Sequence, residues 1–470
     1  MSELKVNKIS PRTACGTTTL GDSGDTFTIP AGVTITNNGT ANGFGATGAV
    51  NWQTTVKTSG FTATAGEGYF VDTTSGPITV NLPAGSAGAV VGFKDYANTF
   101  DTNAVTLNLN GSDKLGGSSD NGLLSTEGQA VTLVFVDSTK GWLVTDSGLQ
   151  SDAPSPQYVT ATGGTITTSG NFKIHTFTGP GTFCVSATGN PAGSNTVDYM
   201  VIAGGASGGN GGAPSGGSGT ASGGGGAGGY RESPGSTTCY TASPLGTSPA
   251  VALPVGVSAF PITVGAGGAV NGPSPSAGRQ GNPGNPSTFS TITSAGGGTG
   301  GGHSVSPGNS GLPGGSGGGG SQCGSVGTGN TPPVTPPQGN NGGPGPGPNA
   351  SGGGGGGAGG VGGAGNPASP GPANAAGGTG GAGTTSSING TPTARAGGGG
   401  GGSGGDLPGG PAGTPGSASA GGGAGGATGV AGTAGTANTG GGGGGGGANP
   451  GKTGGQGGSG IVVIRYKFQG

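Results

Sequence analysis

Gly446, Gly451, Lys452 and Thr453 have the spacing of a phosphate-binding loop, in which backbone amides and one lysine cradle a nucleotide's phosphates. That chemistry needs a buried strand before the loop and a helix after it, whose first amides complete the anion site. Here glycines fill 440–447, and Gly454, Gly455, Gly457 and Gly458 follow, so neither element can form. The match is a product of composition. His175 falls at an alternating position of an expected strand and His303 in a Gly/Ser stretch, and neither has a nucleophile or carboxylate beside it in the pattern catalysis requires. The acidic residues are dispersed, mostly before residue 153, in turn-like sequence. Cys15, Cys184, Cys239 and Cys323 are far apart and lack a CxxC spacing, which argues against a zinc site and a disulfide scaffold and reads as small buried hydrophobes. No catalytic, metal or cofactor-binding residue is nominated, and the expectation is a protein that is not an enzyme.

The elements that position side chains are unusual. Of 129 glycines, 100 lie after residue 200, and from Ser290 to Arg465 there is no aromatic residue and no charge except Arg395, Asp406, Lys452 and Arg465 itself. Over the whole chain of 470 residues only 28% is hydrophobic and 6% charged, with a net charge of −2. The thin spread of 14 basic residues offers no stripe for a phosphate backbone, so nucleic acid is not an expected partner. No apolar run reaches the roughly 18 residues of a membrane span, and no membrane insertion is expected. Residues 1–11 have no apolar centre of the signal-peptide kind, so synthesis in a cytoplasm without conventional export is expected.

Five segments follow from the patterning, and the fold class is all-β. Residues 1–48 read as an extended β arm in which Phe27, Ile29, Val33 and Ile35 alternate with polar residues around a Pro-Ala-Gly turn. One hairpin is too small to stand alone, so these four residues are expected to pair with other copies or with a docking protein. Residues 49–149 hold β-branched and aromatic runs at 68–73, 78–82, 90–96, 104–109, 130–137 and 141–145, with Phe135 and Trp142 as core anchors. They predict a small antiparallel sandwich or barrel. Residues 150–203 form a further β segment, 204–459 are the glycine-rich domain, and 460–470 are a closing strand in which Val462, Ile464, Tyr466 and Phe468 share a face. Aliphatic strands at both ends of the glycine tract suggest an excursion between neighbouring strands of one sheet.

Ordering a backbone costs about 1–2 kcal/mol per residue, and this tract has almost no apolar surface to offset it. A collagen register is broken by 352–357, 397–402 and 440–447. Two readings remain: a flexible linker, or a lattice of polyglycine-II-type helices with three residues per turn, whose amides and carbonyls bond sideways to neighbouring helices. Tyr230, Arg231, Glu232, Tyr240, Arg279, His303, Arg395 and Asp406 interrupt the glycine runs as loop tips should. They read either as binding elements on a rigid scaffold or as solubilising turn residues.

The sequences VDYMVIAGGASGG, GAGGYRESPG, AFPITVGAGG, STFSTITSAGGG and GGSGIVVIRYKF resemble the glycine-rich tail-fibre and adhesin proteins of tailed bacteriophages, especially marine ones. The opening MSELKVNKISPRTACGTTTLGDSGDTFTIPAGVTITNNGTA and the block around GEGYFVDTTSGPITVNLP are similar to virion-proximal fibre modules of the same group. The resemblance implies a virion structural protein, assembled in the host cytoplasm, commonly a homotrimer. It further implies attachment to a baseplate or tail protein through the arm, and host recognition through loops of the glycine domain, toward a surface glycan or outer-membrane protein. Loops at 230–258 and 303–350 are where this chain would carry its specificity. A polysaccharide depolymerase and a glycine-helix ice-binding or extracellular structural protein are the alternatives from other classes.

Overall fold

The computed structural model describes residues 50–148, 157–190, 193–212, 219–235, 240–247, 251–272, 279–303, 310–347, 351–366, 375–404 and 413–469. Phe27, Ile29, Val33, Ile35, Cys15, Cys239 and Asp406 lie outside them. The described residues are all-β, without an α-helix, and the chain divides into two compact units, Met1–Ala153 and Pro154–Gly470.

The first unit contains β1 (Asn51–Lys57), β2 (Phe61–Thr62), β3 (Glu67–Val71), β4 (Ile78–Asn81), β5 (Val90–Asp95), β6 (Val105–Asn108), β7 (Gly122–Leu124), β8 (Ala130–Phe135) and β9 (Trp142–Gly148). Two sheets, β1-β3-β5-β8-β9 and β2-β4-β6-β7, enclose one core with Tyr69, Phe93, Phe100, Leu107, Leu133 and Trp142 at its centre. The expected antiparallel sandwich is corrected. The pairs β1·β3, β3·β5, β2·β4 and β4·β6 are parallel, because the chain crosses to the other sheet after each strand and returns beside the strand before last. Only the closing strands β7, β8 and β9 pair antiparallel. Short apolar runs separated by Gly and Pro turns fit either winding, so the sequence could not separate them.

The second unit contains β10 (Thr160–Thr162), β11 (Thr165–Ser169), β12 (Phe172–Phe177), β13 (Gly181–Ala187), β14 (Thr196–Ile202), β15 (Tyr230–Ser233), β16 (Leu253–Pro254), β17 (Ser258–Thr263), β18 (Ser287–Phe289), β19 (Ile292–Ser294), β20 (Thr384–Ser386), β21 (Thr393–Arg395) and β22 (Ile461–Lys467). One sheet runs β10-β13-β17-β18-β19 and another β11-β12-β22-β14-β15, with β16 also on β14. The strand before the glycine tract, β14, pairs antiparallel with the strand after it, β22.

Both faces of β14 and β22 are covered. Val462, Ile464 and Tyr466 join Tyr199, Val201, Phe183 and Phe289 in a core between the sheets, with Phe468 packed against it. Ile461, Val463, Met200 and Ile202 face the other way, onto Tyr230, Ile388 and the small residues Ala227, Ala358 and Ala396. This two-sided burial explains the near-continuous apolar sequences YMVI and IVVI. Cys184 is exposed on β13, where alternation sends Phe183 and Val185 inward, and Cys323 is exposed too, so neither is the buried hydrophobe expected.

Candidate functional site at the free end of a glycine lattice

Residues 219–229 lie at the centre of the glycine region. The amides of Ser222, Gly225 and Gly228 donate to the carbonyls of Gly446, Gly443 and Gly440; those of Gly223, Gly226 and Gly229 to Gly301, Gly298 and Ala295; those of Gly224 and Ala227 to Gly353 and Gly356. Every third residue therefore faces the same neighbour, as a helix of three residues per turn requires. The carbonyls of the same run accept from 203–212, 316–319 and 399–402. Six runs thus surround it: 203–212, 295–303, 314–321, 351–358, 396–404 and 440–448. Bonds such as Gly297 to Gly204, Gly298 to Ser316, Gly353 to Gly320, Gly355 to Gly399, Gly442 to Gly397 and Gly443 to Ala206 close these six into a ring.

Further runs at 265–272, 279–286, 310–313, 325–330, 339–347, 361–366, 375–383, 413–420, 421–428, 430–437 and 452–459 bond to the outside of that ring. Among the described residues they fall one position short of a complete second ring. The open corner lies outside 295–303, where Gln280 Nε2 donates to the Ser310 carbonyl at 2.7 Å, linking the two runs that flank it. At most interior positions only glycine fits: a Cβ at Gly224 would collide with the Gly399 carbonyl, one at Gly353 with Gly343, and one at Gly444 with Ala424. Some inner side chains return their polar atoms to the lattice, as Ser321 Oγ does to the Ala221 carbonyl at 2.7 Å and Ser222 Oγ to the Gly446 carbonyl at 3.0 Å, whereas Thr299 Oγ1 and Ser316 Oγ are buried without a hydrogen-bond partner. The backbone is satisfied without a side-chain core.

One end of the lattice is seated on the sheet, and most of the residues expected to bind a partner are found there. Tyr230, Glu232 and Arg395 are only 2%, 2% and 6% exposed, which overturns their reading as loop tips. Tyr230 donates to Glu232 Oε2 at 2.8 Å, the Ser243 amide donates to the same oxygen at 2.9 Å, and Ser386 Oγ donates to Oε1 at 2.6 Å. Burial, reinforced by the Glu232 charge, holds the Tyr230 and Tyr240 hydroxyls well above the usual tyrosine range. Burial also pulls Arg395 downward, opposed by Tyr230 and Glu232. Tyr240 stacks under the Arg465 guanidinium at 5.3 Å, with Phe172 closer at 4.3 Å. Arg231 is half-buried on β15, opposite Val201. Tyr230, Glu232, Tyr240, Arg395 and Arg465 form a polar plug on the lattice-facing side of the sheet, whereas Arg231 shares the other face with Val201. Sequence reasoning missed the plug because a polar group flanked by glycines looks exposed until the ends of the runs are known to be packed.

The opposite end is different. The runs that leave the sheet at Ala203 and at Ala295 reach it at Gly212 and His303, and Thr220 and Lys452 begin the way back. His303 Nδ1 lies 2.7 Å from Thr220 Oγ1, and the His303 amide donates to the Asn210 carbonyl at 3.1 Å. The Asn210 amide donates to the Arg279 carbonyl at 2.8 Å and the Gly211 amide to the Lys452 carbonyl at 2.9 Å. Asn210 ties three runs together: its Nδ2 donates to Asn271 and Gly272, and its Oδ1 accepts from the Gly454 amide. Asn449 Oδ1 accepts from the Gly219 amide at 2.9 Å. Arg279 is exposed, and His303 and Lys452 are half-buried. Of the expected binding residues, Arg279 and His303 are described at this end. Asn210, Thr220, Asn271, Asn449 and Lys452 were not singled out as binding residues, although each sits where a glycine run of similar length stops. That common stopping point is the signal that could have found them.

The family described as glycine-rich domain matches residues 178–467. The chain belongs to this glycine-rich domain family. The matched span begins before β13 and ends with β22, so the glycine-rich domain comprises the lattice together with most of the two sheets that hold it. A comparison with curated proteins finds no match.

Proposed function

We propose that this protein is a bacteriophage tail-fibre component that adsorbs the virion to its host, with the free end of the lattice as the contacting face. One observation carries the reading: Asn210, Thr220, Arg279, His303 and Lys452 converge on one end of a hydrogen-bonded bundle whose other end is anchored by β14 and β22. Side chains held on a rigid scaffold bind without a large ordering cost. The resemblance of both flanks of the tract, and of the first 150 residues, to fibre modules of tailed phages supports it. In this reading residues 1–48 attach the chain to a baseplate or tail protein and bring three chains together. Three weak contacts then add through effective concentration. The partner is a glycan or protein of the host surface.

Labelled full-length protein should bind host cells saturably and compete with virion adsorption, and antibody to it should label virion tails. Binding that is absent, or that persists when Asn210, Thr220 and His303 are all replaced by Ala in a protein of unchanged melting temperature, would sink the reading of the free end as the contacting face.

A further inference from the structure

Between Ser233 and Gly460 the sequence has four formal charges: Arg279, Arg395, Asp406 and Lys452. Arg395 is buried at the sheet end, and Asp406 lies outside the described residues. Arg279 and Lys452 are at the free end, on different runs, and both bond through their carbonyls to the consecutive amides of Asn210 and Gly211. The imidazole of His303 belongs to the same group, because the His303 amide donates to the carbonyl of that same Asn210. The backbones that bear a guanidinium, an ammonium and an imidazole thus meet at the end of the run 203–212, and among the described residues no carboxylate stands within the lattice. The side chains of Asn271, Asn449 and Thr220 brace this end, through bonds of Asn271 to the Gln280 carbonyl and the Asn282 side-chain amide, of Asn449 to the Gly219 amide and of Thr220 to His303.

We infer that the free end of the lattice around Asn210 and Gly211 binds the anionic group, phosphate or carboxylate, of a cell-surface glycan through Arg279, Lys452 and His303. The inference rests on the adsorption reading and specifies its ligand chemistry. Opposite charge alone would give a weak, salt-screened contact at an exposed surface. The fixed backbone register changes this, since it holds the three runs bearing these side chains together before ligand arrives and leaves only side-chain ordering to be overcome. Arg279 supplies a planar fork matched to either oxyanion, and Lys452 a point charge.

The test immobilises full-length protein and measures binding of phosphorylated dextran, polygalacturonate and unmodified dextran at low and physiological salt. Anionic polymer should bind and neutral dextran should not, and the preferred anion distinguishes a phosphate from a carboxylate source. Arg279→Gln and Lys452→Gln should each weaken binding about tenfold, the worth of one charge-assisted hydrogen bond, while Arg279→Lys should recover part of the loss. Lys114→Gln, in the other unit, is the control for general charge. Equal binding by the double variant and the parent, or an equal loss from Lys114→Gln, overturns the inference. Host-cell adsorption is measured in parallel. Adsorption that survives in a double variant whose polyanion binding equals the parent's refutes the anion site alone, whereas a parent that fails to adsorb refutes the adsorption reading.

Discussion

Ile464 of β22 stands opposite Tyr199 of β14, so two residues on either side of the entire glycine tract are partners in one antiparallel ladder. The lattice is consequently a closed excursion, and its two ends cannot separate without breaking the sheet that seats it.

Ile464→Ala is therefore expected to destabilise the second unit by about 2–5 kcal/mol, as for other large buried aliphatic side chains, and hydrogen exchange should accelerate throughout the glycine runs. Removal of residues 461–470 should do more. Exchange in the 50–148 unit should not change. If the lattice keeps its protection without β22, the ladder is not what holds it.

Glycine substitutions should divide by position in the lattice. Gly224→Ala and Gly444→Ala place a methyl group against a neighbouring carbonyl, and each should cost at least about 1–3 kcal/mol, the usual penalty of overpacking. Gly347→Ala has open space around its new Cβ and should be within about 0.5 kcal/mol of neutral. Thermal denaturation of the three variants is enough; equal melting temperatures would contradict the close packing.

Glu232 accepts from Tyr230, Ser386 and the Ser243 amide in a buried setting. Glu232→Ala leaves these donors without an acceptor and should lower stability by about 1–3 kcal/mol per unsatisfied group. Cell adsorption per folded molecule should stay the same. A selective loss of adsorption at unchanged stability would return Glu232 to the contacting face.

His175 is fully buried, with Nδ1 at 2.7 Å from the Gly163 carbonyl and Nε2 at 3.1 Å from the Tyr466 hydroxyl. Burial lowers its pKa, partly opposed by the bond to Gly163, with the Lys173 charge lowering it further. A depressed histidine is neutral when folded and binds protons more readily when unfolded. Its contribution is thus complete above the ordinary value of about 6.5 and is lost as pH falls through the lower folded value. The melting temperature should fall between pH 7 and pH 5, and His175→Gln should flatten that dependence relative to the parent.

The lattice was more legible in the sequence than its surroundings. The longest glycine runs, 352–357, 397–402 and 440–447, all belong to the ring around the central helix, where every direction is occupied by backbone. Runs with glycine at every third position, such as 430–437, lie outside, with Val430, Ala431, Thr433, Ala434, Ala437 exposed and Gly432 and Gly435 turned to the interior. The pairing of the strands before and after the tract was readable from two aliphatic segments with nothing comparable between them. The parallel winding of β1 to β6 was not, since strand length and turn composition carry no information on which strand becomes a neighbour. Nor was the burial of Tyr230, Glu232 and Arg395, which depends on which end of each run meets the sheet.

Because each run bonds to its neighbours once per three residues, the glycine tract has a reading frame of its own. Gain or loss of three residues within a run returns every amide to the neighbour it had before. A change of one or two rotates all that follow by a third of a turn and points them at the wrong carbonyls. Length variation confined to the segments between runs leaves this phase untouched. Sequence drift in such a domain is thereby sorted by arithmetic: lengths inside the bundle change in threes, and lengths at its free end change without restriction.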